Sequence, residues 1–137
     1  MNIELDPIDL KIIALLKHDS RLTHKQIGQH VHRTRQAVGA RIAQLMDAGI
    51  IRNYTITIGY EYKQFIQLFL NEQQAFTEIE QLVKQYPQID ECFKTLGNGC
   101  YMIVSHFNPS QLNQFIEKLS QWSRYSVETV MREIELH

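Results

Sequence analysis

A chain of 137 residues has room for one ordinary domain or two small ones. Its 44% apolar and 21% charged residues are those of a folded globular protein, and no apolar run is long enough to span a bilayer. The net charge of −1 argues against a nucleic-acid partner only until it is divided along the chain. Between Ser20 and Arg52, six basic residues stand against one acid, Asp47. From Glu61 onward, six basic residues stand against ten acids. A charge run is usually only a solvated face. Here, however, the positive charge is gathered where phosphate contacts would need it. The opening MNIELDPIDL lacks the basic and apolar blocks of a signal peptide, so a cytoplasmic location is expected. Cys92 and Cys100 fit no disulfide scaffold and are expected as thiols.

Asp6 or Pro7 opens a first helix, on which Ile8, Ile12, Leu15 and Leu16 share one face. His18-Asp19-Ser20 breaks the pattern. Thr23 caps a second helix, with Gln26 as the reciprocal half of a capping box, and Ile27, Val31 and Leu22 face inward. After a short turn at His32-Arg33, Thr34 caps a third helix from Arg35 to about Ala48. Val38, Ile42, Leu45 and Met46 form its buried stripe, and Gly49 stops it. Three short helices with a tight turn between the last two predict a helix-turn-helix.

The outward face of the third helix then holds Gln36, Ala37, Ala40, Ala43 and Gln44. Small residues let a helix sit deep in the major groove, and glutamine both donates to and accepts from base edges. Arg35 at the start and Arg41 on one flank are placed for guanine or phosphate. Lys25, Arg33 and Thr34 complete the expected DNA-contacting set. The bland alternative is a solvated surface helix. Gly39 is a puzzle, since mid-helix glycine costs about 1 kcal/mol relative to alanine. Close approach to DNA and simple drift both account for it.

Ile50 to Ile58 alternates and is rich in β-branched residues, so it reads as a strand or wing. Further strands are expected at Phe65–Glu72, Ile89–Leu96, Tyr101–Phe107 and Ser126–Leu136. A hairpin turn is expected at Gly97-Asn98-Gly99, pairing Leu96 with Cys100. One helix carries Phe76, Ile79, Val83 and Tyr86 and closes at Pro87. Another starts at Asn108-Pro109 and turns Leu112, Phe115, Ile116, Leu119 and Trp122 inward. The order βαββαβ is the ferredoxin-like arrangement. Both helices would cover one sheet face. The other, bearing Phe65, Phe69 or their neighbours, needs a partner, and a sheet-to-sheet dimer supplies one. The fold class expected is therefore α+β. A winged helix-turn-helix over residues 1–53 leads through a linker strand, 54–63, to a ferredoxin-like domain over 64–137.

In this order the parts resemble the leucine-responsive/asparagine-regulator (Lrp/AsnC) family, over nearly the whole chain. The resemblance rests on Leu5-Asp6-x-x-Asp9-x-Lys11-Ile12, Arg21-Leu22-Thr23 with Ile27-Gly28, and Val38, Arg41-Ile42 and Leu45. It continues through Asp47-Ala48-Gly49-Ile50-Ile51-Arg52-Asn53-Tyr54. It implies dimers, often assembled to octamers, that bind double-stranded DNA and respond to amino acids or related small molecules. The family's effector turn reads Gly-Asp-x-Asp-Tyr; here it is Gly97-Asn98-Gly99-Cys100-Tyr101. Both carboxylates are gone, and a neutral thiol offers neither charge nor a good acceptor. These five residues remain the expected effector-binding set. The effector differs from the family's or is absent.

Neither a metal nor a cofactor is expected. His30-x-His32 lacks an obvious third ligand, and no basic residue adjoins Cys100 to activate it as a redox switch. An enzymatic alternative comes from haem-precursor decarboxylases that resemble this fold. It would need a pocket with convergent basic groups, and the second half offers only His106 with scattered Lys and Arg. A third reading makes the second domain an oligomerising module without a ligand.

Overall fold

The computed structural model describes residues 4–70 and 75–136 and divides into two compact units, 1–57 and 58–137. The first unit is helical. α1 spans Pro7–His18, α2 His24–Val31 and α3 Arg35–Asp47. Asp6 and Asp9 exchange side-chain and backbone hydrogen bonds at the start of α1, and Thr23 and Gln26 do the same for α2. Thr34 accepts from the Ala37 amide to start α3. Each cap satisfies backbone donors that a helix start leaves unpaired. The end of α3 is a Schellman closure. The Ile50 amide donates to Leu45 O, the Gly49 amide donates to Met46 O, and Gly49 takes φ 73°. Ile12, Leu16, Ile27, Val31, Val38 and Ile42 pack together, with Leu15 and Leu22 against them.

The second unit is a four-stranded antiparallel sheet with two helices. β1 is Gln64–Phe69, α4 Ala75–Val83, β2 Ile89–Lys94, β3 Tyr101–Ser105, α5 Pro109–Leu119 and β4 Arg124–Thr129. The strand order β2-β3-β1-β4 is the ferredoxin-like one. Ile66 pairs with Ile103, and Leu68 with Tyr101. This face meets Ile79, Leu82 and Val83 of α4 and Phe115 and Leu119 of α5. Alternation sends Phe65, Gln67, Phe69, Phe93, Met102 and Val104 to the opposite face, where Phe65 and Phe93 are exposed. No helix among the described residues is long and apolar enough to cross a membrane.

The expected strand over Ile50–Ile58 and linker strand over 54–63 are not strands here: residues 50–63 join no ladder. A strand needs a hydrogen-bonding neighbour, and among the described residues this segment pairs with none. Met46, expected inward, is 41% exposed, because Leu45 takes the core position beside it. Trp122 lies past the end of α5 and is half-exposed. The hairpin pairs Thr95, not Leu96, with Cys100: the Thr95 amide donates to Cys100 O, and Leu96 is solvent-exposed. Cys92 sits opposite Ile103, so the two cysteines are not cross-strand partners. β4 begins two residues early, at Arg124, and ends at Thr129 because no strand flanks 130–136. Of the strand expected at Phe65–Glu72, Asn71 and Glu72 lie outside the described residues.

Candidate nucleic-acid interface and effector turn

The turn between α2 and α3 is built by two unusual backbone positions. His32 takes the left-handed conformation, φ 57°, and the Arg33 amide donates to Gly28 O. A Cβ on Gly28 would lie 2.4 Å from Arg33 O, so only glycine permits this return of the chain. The turn forms an open concavity of about 590 Å³ lined by Lys25, Gly28, Gln29, His32, Arg33, Thr34 and Arg35. Two of the polar groups there, the Lys25 and Arg35 side chains, are exposed, and Arg33 folds back to donate to the carbonyl of His32.

Along α3, Gln36, Ala40 and Gln44 are exposed and Ala37 is half-buried, while Val38, Ile42 and Leu45 face the core. The structure therefore brings Thr34, Arg35, Gln36, Ala40 and Gln44 to one free surface, with Lys25 and Arg33 beside it. No acid stands between Lys25 and Gln44 in the chain. Arg41 is different. Its Nη1 donates to both oxygens of Asp6, at 2.8 and 2.7 Å, and to Asp9 Oδ1 at 3.1 Å. Hydrogen bonding from Arg41 holds the Asp6 carboxyl below its ordinary range, and the two aspartates raise the guanidinium's. Asp6, read from sequence as a helix start, and Asp9, read only as part of the family motif, thus also bind the third helix. The pairing of a capping-box acid with an arginine 35 residues on carries no local signal. At Gly39 an added Cβ would meet only the His24 imidazole, at 3.0 Å, an exposed ring that can turn aside, so packing of α2 on α3 does not demand glycine there.

In the second unit the turn residues separate. Gly97 (φ 133°) and Asn98 are exposed. Gly99 is buried beneath the Gln67 side chain, whose amide nitrogen would stand 2.6 Å from an added Cβ. The Cys100 amide donates to Leu68 O, and the Leu70 amide lies 3.4 Å from Cys100 Sγ. Tyr101 is 1% exposed and packs edge-on against Phe76. Its hydroxyl donates to Glu80 Oε2 at 2.9 Å, and burial with this partner pushes its pKa up to about 12. Sequence reasoning also missed Gln64, which is buried at the start of β1. Its amide donates to Phe107 O and accepts from the Ser105 hydroxyl and the Phe107 amide.

Comparison with known proteins agrees with this geometry. Residues 5–52 match a winged helix-turn-helix DNA-binding family, and residues 63–136 match the Lrp/AsnC ligand binding domain. The chain is 29% identical to the HTH-type transcriptional regulator LrpB of Bacillus subtilis, over 98% of this chain and 93% of that protein. The structure of B. subtilis LrpC superposes with a TM-score of 0.87 at 26% identity, covering 98% of this chain and all of that one. A Neisseria meningitidis transcriptional regulator solved as a complex with L-Met superposes at 0.83 and 23% identity, covering 96% and 93%. With residues 5–52 and 63–136 matched in order to these two domain families, the chain belongs to the Lrp/AsnC family of transcriptional regulators.

Proposed function

We propose that the chain reads DNA as a homodimer, laying α3 in the major groove, and that this role is regulatory, cytoplasmic and without catalysis. The observation that carries it is the acid-free surface of Arg35, Gln36, Ala40 and Gln44 on α3, with Lys25 and Arg33 beside the turn. Gln36 and Gln44 would read base edges, and Ala37 and Ala40 let the helix approach. Lys25, Arg33, Arg35 and the Thr34 end of α3 would take phosphates. Arg41 acts by holding α3 to α1 rather than by touching DNA. Footprinting on the DNA upstream of the chain's own gene tests this. Protection at low salt that fades steeply with added salt is expected, and no protection at low salt would overturn it.

The dimer is supported by the open sheet face, where Phe65 is 39% and Phe93 49% exposed beside Met102 and Val104. Apolar surface of this kind on a sheet marks an interaction site, and assembly to an octamer would build on such dimers. The second unit is read as the receiver of a small-molecule effector such as an amino acid. The ligand-binding family match and the L-Met complex of the Neisseria relative support it. Gly97, Asn98 and the backbone of Gly99 and Cys100 would meet the ligand, while Tyr101 supports the turn from the core. A ligand's ammonium group would need an acid from outside the turn. Thermal shift against the amino acids tests the assignment, because a ligand that binds only the folded state raises the melting point. No shift with any of them would favour a purely oligomerising module.

A further inference from the structure

The chain enters the second unit at Ile58, and just ahead of β1 the Lys63 carbonyl accepts from the Val130 amide. Three residues upstream, Tyr60 is held in a different way. Its ring stacks on the His106 imidazole with centroids 3.7 Å apart and planes within 3°. His106 follows β3 directly, its amide donates to Gln88 O, and its Nδ1 lies 2.8 Å from Asp90 Oδ2. Asp90 is the extra residue of a β-bulge: Ile89 pairs with Ser105 and Glu91 with Val104, leaving Asp90 without a partner. A bulge re-aims the side chain it carries. Here it turns an edge-strand carboxylate onto the imidazole, which fixes the plane on which Tyr60 rests. Asp90 serves no other hydrogen bond among the described residues, and neither His106 nor Tyr60 belongs to the DNA-reading surface or the effector turn.

We propose that the Tyr60–His106 stack, aimed by Asp90 from the β2 bulge, is a latch that fixes the joining segment to the sheet and so limits the half-site spacings the dimer accepts. The inference rests on the dimeric DNA-binding reading above. Its magnitude follows from chain geometry. Releasing the latch frees Tyr60, Glu61 and Tyr62, each reaching at most about 3.4 Å, so each tether lengthens by at most roughly 10 Å. At about 3.4 Å per base pair along one strand, that is about three base pairs per subunit.

The test uses the full chain in two measurements. Hydrogen exchange of the amides of residues 59–62 is expected to quicken about tenfold in Tyr60→Ala and His106→Ala and to stay unchanged in Tyr60→Phe, which keeps the stack. Binding is then selected from duplexes carrying two copies of the half-site recovered from the wild-type footprint, set apart by spacers of varied length. Wild type and Tyr60→Phe are expected to retain a narrow set of spacers, and Tyr60→Ala and His106→Ala a set several base pairs broader. Unchanged exchange in both alanine variants would overturn the latch. Faster exchange with an unchanged spacer range would overturn its role in spacing. Failure of the wild type to bind any duplex would instead strike the DNA-binding reading, and the exchange result would still judge the latch by itself.

Discussion

A single guanidinium nitrogen of Arg41 spans both carboxylate oxygens of Asp6, at 2.8 and 2.7 Å, tying the middle of α3 to the first residue before α1. α3 is thereby oriented by a residue 35 positions away. Arg41→Ala is expected to lower the thermal midpoint by a few degrees. Its effect on DNA affinity should be alike for all sequences and should leave the salt slope close to that of wild type. Arg35→Ala, by contrast, should reduce that slope by about 1, as loss of one phosphate contact does. Binding titrations at a series of salt concentrations separate the two.

The same pair gives a pH dependence. Asp6 is depressed below 3.8 by its hydrogen bond from Arg41. A carboxylate depressed in the folded state stabilises the protein above its unfolded pKa and ceases to do so as pH falls through the folded one. The advantage of wild type over Asp6→Asn, which keeps the helix cap, should therefore be full at neutral pH and shrink below about pH 4. Urea unfolding at pH 7 and pH 3 measures it. An advantage that persists undiminished at pH 3 would refute the assignment.

Gly28→Ala and Gly39→Ala should behave oppositely. The first forces a Cβ onto the Arg33 carbonyl at 2.4 Å, where only backbone can yield, and is expected to cost about 3 kcal/mol in urea unfolding. The second meets only the exposed His24 ring, which can turn aside, and regains about 1 kcal/mol of helix propensity. Its stability should equal or exceed that of wild type.

Tyr101→Phe leaves the Glu80 carboxylate without its buried donor and should destabilise the second unit by about 1–2 kcal/mol. Because the folded pKa of about 12 exceeds the ordinary 10.0, this hydroxyl favours folding below pH 10 and progressively less as pH rises towards 12. Ultraviolet titration of wild type should show one tyrosine ionising near pH 12 that is missing from the variant.

Phe65→Asp places a charge in the open sheet face without disturbing the helix-covered core. Burying it unpaired in a sheet-to-sheet contact would cost several kcal/mol. Sedimentation should show monomers where wild type shows dimers, with circular dichroism unchanged.

What could be read from sequence was what local rules govern. Capping residues, helical stripes and the Gly49 stop are short-range signals: Thr23 and Thr34 cap as expected, and helices start at Asp6 and Asn108, where starts were expected. Residues 50–58 misled because β-branched alternation reports fitness for a strand, whereas a strand exists only with a neighbour. The surface of α3 followed from periodicity, but Arg41 did not. Nothing near it in sequence marks it as engaged, and its partners lie at the far end of the unit. Gln64 was invisible for a similar reason, since its three hydrogen bonds all go to residues beyond position 104.

The unladdered run Asn53–Ile58 carries no charge and no proline, and Ile56 is 78% exposed. Six such residues have the composition of a cross-β seed. Arg52 on one side and Glu61 on the other are the nearest charges, placed as gatekeepers that penalise stacking of identical segments. Neutralising both should make the chain fibre-forming under conditions in which its fold is intact.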